Sequence, residues 1–380
     1  METPPFRIGV FGRETLPTDG GADTLLRLLR EKLGPAAGGG AVELVHVPAA
    51  AWSYRRQPLR YLWWRFTRVC GVQVPLWDFR PVCRRLRLDA AYVAIPILAR
   101  IDIPYVFTLW DLGHRTLPEF PEMDTARESW DEREAMCRRM LPQASCIIAG
   151  NGVGAAEARE MYGLPAERVV AIPLPNPDFA GVEAALPAWA PRRPYFVYPA
   201  QGWPHKNHLT LIRALARLKY SQGEPFDLVL VGSDKGNNAH LRAAAARLGL
   251  ADRVHFGGFV TRGELKALYQ GAVGLVFPSL LGPNNLPPQE AAVLGCPMIL
   301  SDLPGHREQL RDGALYVDPL HADAWGEAMV RLANDPALRA DLGARARRVV
   351  ADYTMENYAA RLGEIFARLG ARRALWGDWR

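Results

Sequence analysis

Short apolar runs rich in β-branched residues alternate with helical patterns along this chain, and they do so in two separate series. The first series is RIGVF, VELVHV, AAYVAI, YVFTLWD and CIIAG; the second is YFVYPA, DLVLVG, VHFGGF, GLVFPS and PMILSD. Helical patterns such as Ala22 to Leu33, Leu209 to Tyr220 and His240 to Leu248 lie between the runs. Strand and helix alternating in this way form βαβ units, and a string of them forms a parallel sheet covered by helices. Two series predict two doubly wound α/β domains.

The segment Pro173 to Pro194 is crowded with proline and small residues and separates the series, which marks it as the linker. The expected division is residues 1–178, residues 179–360, and a 361–380 tail packing back toward the first domain. A chain of 380 residues exceeds the usual single core, in agreement with two domains. Cys70, Cys83, Cys137, Cys146 and Cys296 are scattered and form no CxxC pair, which argues against a disulfide framework or a zinc site and for a reducing compartment. The N-terminus lacks the pattern of a secretory signal, and no apolar run reaches the roughly 18 residues needed to span a bilayer. The expectation is a cytoplasmic protein, soluble or peripheral on the inner face of a membrane.

Two loops in the second half carry candidate chemistry. In QGWPHKNHLT, Lys206 follows a strand and precedes a helix, where free N–H groups and the positive end of the helix dipole favour phosphate. A lysine there forms charge-assisted hydrogen bonds of roughly 1.5–3 kcal/mol, enough to hold a diphosphate as it leaves. The plain alternative is a solvated lysine. In FPSLLGPNNLPPQEAAVLGCPMILSD, Pro287 and Pro288 suit the first turn of a helix and put Glu290 in that turn, with the N–H groups of Asn284, Asn285 and Leu286 beside the site. Glu290 is suited to accept a ribose diol; alternatively, it only complements the helix dipole at about 0.3–1 kcal/mol.

The ordered set YPAQGWPHKNH, LVGSDKG, RVHFGGFV, ELKALY, FPSLLGPNNLPPQEA, GCPMILSD and ALYVDP resembles the retaining GT-B glycosyltransferases of family 4. The resemblance is close over Tyr195 to Pro319 and looser in the first half. It implies a GT-B fold, with two Rossmann-like domains facing a cleft, the second holding a nucleotide-sugar donor and the first an acceptor. It also implies that Lys206 serves the diphosphate and Glu290 the ribose. The family's first donor glutamate falls on Gly282, and its Gly-Phe-Gly stretch on Pro283, Asn284 and Asn285, so donor-sugar contacts pass to the asparagine side chains and backbone. Gln201 stands near the place of the family arginine. Gly258, Phe259 and Val260 match the segment that seats the base, where a strand end is the competing reading.

In the first half, Gly20 and Gly21 occupy a strand–helix loop of the kind that permits close backbone approach to a ligand. The resemblance points that loop at the donor. FTLWDLGHRTLPEFPE resembles the family's His-Asp loop, with Trp110 in the histidine place. Asp111 and His114 are then candidates for sugar or acceptor contact, or else cap local backbone. From Trp52 to Arg87, cations interleave with aromatic rings, among them Arg60, Trp63, Trp64 and Arg65. This pattern suits an anionic membrane interface and a lipid-linked acceptor; single-stranded nucleic acid is the less favoured ligand. Core packing under arginine stems is the plain alternative.

These expectations combine into a retaining, metal-independent hexosyltransferase of cell-surface glycan synthesis that uses no cofactor. GDP-mannose is the first candidate donor, with UDP- and dTDP-sugars as alternatives. Its rival is a non-catalytic protein that binds a sugar nucleotide or single-stranded nucleic acid on the same scaffold. The oligomeric state leaves no mark in the sequence.

Overall fold

The computed structural model describes residues 5–12, 42–48, 62, 66, 77–124, 129–222 and 226–375. The strands are β1 Phe6–Phe11, β2 Val42–Val47, β3 Trp77–Asp78, β4 Ala90–Val93, β5 Ala99–Arg100, β6 Tyr105–Leu109, β7 Cys146–Ala149 and β8 Val169–Ala171, then β9 Tyr195–Pro199, β10 Asp227–Val231, β11 Val254–Gly258, β12 Gly274–Phe277, β13 Met298–Ser301 and β14 Leu315–Val317. They form two six-stranded sheets, ordered β2-β1-β4-β6-β7-β8 and β11-β10-β9-β12-β13-β14, and a small β3-β5 pair. Every pairing among the described residues is parallel.

The chain divides into two compact units. The first comprises Met1–Pro118, Met123–Pro175 and Tyr353–Arg380; the second comprises Glu119–Glu122 and Asn176–Asp352. The partition differs from the expected domains in three places: the first boundary falls between Pro175 and Asn176 and not after residue 178, the chain returns to the first unit at Tyr353, and the short Glu119–Glu122 segment belongs with the second.

The central strands of the first unit's sheet, β4, β6 and β7, are built from runs with no exposed face. Ala90, Ala91, Tyr92 and Val93 are fully buried, as are Val106 and Phe107. The Met355–Arg373 helix closes this core. It buries Met355, Tyr358, Ala359, Leu362, Ile365, Phe366 and Leu369, the spacing of one apolar helix face. The Tyr358 hydroxyl lies 2.9 Å from that of Tyr92, so the helix is fixed by a polar contact as well as by packing.

In the second unit β9 is central and fully buried. The His208–Gln222 helix buries Leu211, Leu215 and Leu218. Each such side chain contributes roughly 1.5–3 kcal/mol when removed from water. Asp227 opens β10 and is 4% exposed, yet it is fully engaged: Arg253 Nε donates to it at 2.6 Å and His255 Nε2 lies 2.8 Å away. The strand order reverses between β9 and β12, because β10 and β11 extend from one side of β9 and β13 and β14 continue from β12. In an open parallel sheet, the carboxyl ends of the strands flanking such a reversal form the natural crevice for a ligand.

Candidate functional site

Lys206 and Asn285 meet at that reversal. After β9 the chain makes a short 3-10 turn, Pro204–Lys206, ended by Asn207 in the left-handed region at φ 57°. Asparagine tolerates that conformation better than most residues. The Asn207 amide donates to the carbonyls of Pro278 at 3.1 Å and Pro319 at 2.7 Å, so one side chain ties the turn to the ends of β12 and β14. The Lys206 carbonyl accepts from the buried Tyr198 hydroxyl at 2.6 Å. The Lys206 ammonium donates to Asn285 Oδ1 at 3.1 Å and Ser279 Oγ at 3.4 Å, both uncharged groups.

Behind Asn285 lies a buried polar chain. Its Nδ2 donates to the Leu281 carbonyl at 3.3 Å and lies 3.1 Å from His306 Nε2. His306 is fully buried, and its Nδ1 is 2.9 Å from the Ser301 carbonyl. Burial pushes the His306 pKa down to about 4, so the ring is neutral near pH 7. Gln309, 3% exposed, donates from Nε2 to Asn284 Oδ1 at 2.7 Å and to the Asn285 carbonyl at 2.8 Å. Gly282 has no freedom to be larger: a Cβ there would collide with Asn285 Nδ2 and stand 2.7 Å from His306 Nε2. The asparagine side chains are thus engaged by protein groups, Asn284 by Gln309 and Asn285 by Lys206, Leu281 and His306, whereas the sequence pointed them at the donor sugar. Asn284 Nδ2 is the exception, buried and without a hydrogen-bond partner among the described residues.

Glu290 is the fifth residue of the Leu286–Leu294 helix, which corrects the expected first-turn position. Both prolines do lie in the first turn, and at the fifth position the carboxylate is past most of the dipole's reach. Its Oε2 is 2.9 Å from the Tyr269 hydroxyl. Oε1 has no hydrogen-bond partner among the described residues. Burial raises the carboxyl's pKa, and the Tyr269 contact partly offsets that rise. Gln201 Oε1 accepts from the Trp203 indole at 2.8 Å. At the end of the edge strand β11, Gly258 has φ 65°, Phe259 is 55% exposed, and Val260 is half-buried.

A carboxylate absent from the sequence reading completes the Lys206 turn. Glu122, on the short segment that belongs to this unit, accepts from the His205 backbone N–H at 2.8 Å, and its Oε1 lies 2.5 Å from His205 Nδ1. Burial pushes the Glu122 carboxyl up, but the His205 contacts outweigh it and hold the pKa below the ordinary value.

His114 is a correction. It is 1% exposed inside the first unit, with Nε2 3.2 Å from Glu134 Oε2, so its ring is not offered to a ligand. Glu134 also accepts from Arg115 Nε at 2.8 Å and the Tyr162 hydroxyl at 2.8 Å. Burial lowers the His114 pKa. Asp111 Oδ1 accepts from the Gly113 N–H at 2.8 Å, a local backbone cap, and lies 3.5 Å from Arg133. Gly20, Gly21, Arg60, Trp63, Trp64 and Arg65 lie outside the described residues.

Comparison with known proteins agrees with this architecture. Residues 186–349, nearly the whole second unit, match the family Glycosyl transferases group 1. The two parallel-sheet units are those of the GT-B fold. O-antigen chain mannosyltransferase RfbU of Salmonella typhimurium is 32% identical over 173 residues, 46% of this chain and 47% of that protein. The chain therefore spans about half the length of this curated relative. Sucrose-phosphate synthase of Thermosynechococcus elongatus has the same fold, with a TM-score of 0.71 over 96% of this chain and 99% of that one at 19% identity. Alr3699/HepE of Anabaena, solved in complex with UDP-glucose, gives a TM-score of 0.68 over 95% of this chain and 99% of its own at 16% identity.

Proposed function

We propose that this protein is a glycosyltransferase that moves a hexose from a nucleotide-diphosphate sugar to a lipid-linked or polysaccharide acceptor. The observation that carries the reading is the Lys206 ammonium, held by two neutral side chains at the strand-order reversal of a group 1 glycosyltransferase domain. There the ammonium meets the leaving diphosphate and stabilises the charge that develops as the glycosidic bond breaks. Glu290 Oε1 accepts the ribose diol, and the exposed Phe259 ring offers a face to the base. In a retaining transfer, the acceptor enters on the face the diphosphate vacates, and the departing diphosphate takes the acceptor's proton. The diphosphate charge rests on Lys206 and loop N–H groups, with no metal ion required.

The relationship to an O-antigen chain mannosyltransferase favours a mannose-type sugar on GDP. The HepE complex makes a UDP-sugar the alternative. An acceptor carried on a lipid accounts for the cationic, aromatic stretch from Trp52 to Arg87. Leu62 and Phe66, four residues apart and both helical, are 60% and 61% exposed within it. No described helix is long and apolar enough to cross a membrane. On this reading the protein works at the cytoplasmic face of a membrane, bound at its surface.

A panel of nucleotides scored by thermal stabilisation tests the donor assignment, because a ligand that binds only the folded state raises its stability logarithmically with concentration. GDP or UDP is expected to stabilise the wild type, and Lys206→Ala is expected to weaken that binding roughly 10- to 100-fold, the equivalent of one charge-assisted contact. Equal binding by wild type and variant would remove Lys206 from the site.

A further inference from the structure

Hydrogen-bond polarity can be followed from the Lys206 ammonium to a buried backbone carbonyl. The Ser301 carbonyl only accepts, so His306 Nδ1, 2.9 Å away, carries the ring proton. Nε2 of the same ring then presents a lone pair. The group facing it at 3.1 Å must be the NH2 end of the Asn285 amide, which also donates to the Leu281 carbonyl at 3.3 Å. With that end committed, Asn285 Oδ1 has one orientation left, toward the Lys206 ammonium at 3.1 Å. Were the histidine proton on Nε2, the amide would be driven to turn, and its NH2 end would face the ammonium.

Two glycines make room for the chain. A Cβ at Gly282 would collide with Asn285 Nδ2, and one at Gly305 would collide with the Gly282 carbonyl, so the Pro304–Leu310 helix that carries His306 packs directly on the loop backbone. His306 is 0% exposed and Asn285 is 9% exposed, so water does not compete for these bonds.

We propose that His306 is a positioning residue for the donor site: through the fixed amide of Asn285 it holds the Lys206 ammonium in place for the diphosphate of a nucleotide sugar. The inference rests on the donor reading given above, and Gly282 is part of it, as the residue that leaves space for the pair.

The test is a set of GDP and UDP affinities measured by calorimetry on the full chain, with circular dichroism as the control for folding. His306→Leu and Asn285→Leu are each expected to weaken binding about 10-fold, His306→Gln to stay within about 3-fold of wild type because its side-chain oxygen replaces the Nε2 lone pair, and His306→Leu to add nothing once Lys206 is alanine. Loss in Lys206→Ala without loss in His306→Leu, or full additivity of the two, overturns the inference and leaves the donor reading standing. No loss in Lys206→Ala overturns the donor reading itself. Should the leucine variants fail to fold, the nitrogen chemical shifts of His306 in the wild type at pH 7 decide the matter. A neutral ring protonated at Nδ1 is expected, and a proton on Nε2 contradicts the proposal.

Discussion

Lys206 and Glu290 sit in different electrostatic settings. The Lys206 ammonium leans on the neutral Asn285 and Ser279, whereas Glu290 is a carboxylate whose burial raises its pKa and whose Oε1 is uncommitted. A ribose diol placed against Oε1 would donate to it and favour the ionised form. It follows that Glu290→Gln should lower affinity for GDP or UDP about 10-fold while barely changing affinity for the matching 2′,3′-dideoxy nucleotide, as titration calorimetry can show; equal losses for both nucleotides would place Glu290 away from the ribose. These two residues stood out in the sequence because each follows a strand within a recognisable motif, Lys206 at the end of a short turn and Glu290 inside the helix after its loop. The partners of Lys206 did not. His306 and Asn285 are 21 positions apart, and a histidine after Pro-Gly at a helix start looks like an exposed cap until the fold buries it. His114 failed in the opposite sense: it looked available in a polar loop, and Glu134, 20 positions later, draws it inside.

At the scale of elements, the strands were legible because runs buried on both faces are nearly continuous in apolar residues, and the sheet order then placed the Lys206 and Asn285 loops side by side. The Met355–Arg373 helix starts six residues ahead of the expected tail because its apolar face already begins at Met355 and Tyr358, both of which pack in the first unit's core. Glu119–Glu122 was illegible as part of the second unit, since the Glu122 carboxylate meets His205 across 83 positions of sequence. The stretch from Trp52 to Arg87 carries its own prediction. Leu62 and Phe66 are exposed apolar residues within a sequence rich in cations and aromatic rings, a composition that suits contact with anionic lipid. The protein should sediment with vesicles containing phosphatidylglycerol and not with neutral phosphatidylcholine vesicles, and Trp63→Ser with Trp64→Ser should release most of it. Retention of the double variant on the anionic vesicles would exclude the aromatic anchor.

For the whole molecule, buried neutral histidines set the response to acid. Burial pushes His208 down to about 3 and His306 to about 4, and it lowers His114 as well. An unfolded histidine takes up its proton near pH 6.5, so below that pH the unfolded chain binds more protons than the folded one, and folding stability falls with pH. The loss is about 1.4 kcal/mol per pH unit for each histidine until its folded pKa is passed. Denaturant midpoints measured from pH 7 to pH 4 should therefore decline steadily, and His208→Gln should flatten the decline; a midpoint independent of pH across that range would contradict the burial of these rings. The central proposal is transfer of a hexose from a nucleotide sugar at Lys206. The most direct measurement is release of nucleoside diphosphate from GDP-mannose and UDP-glucose, with a lipid-linked glycan acceptor and with EDTA present. The account predicts acceptor-dependent release with at least one donor, undiminished by EDTA and reduced at least 10-fold in Lys206→Ala. Release that is the same in the variant, or nucleotide-sugar binding with no release from either donor, would contradict it.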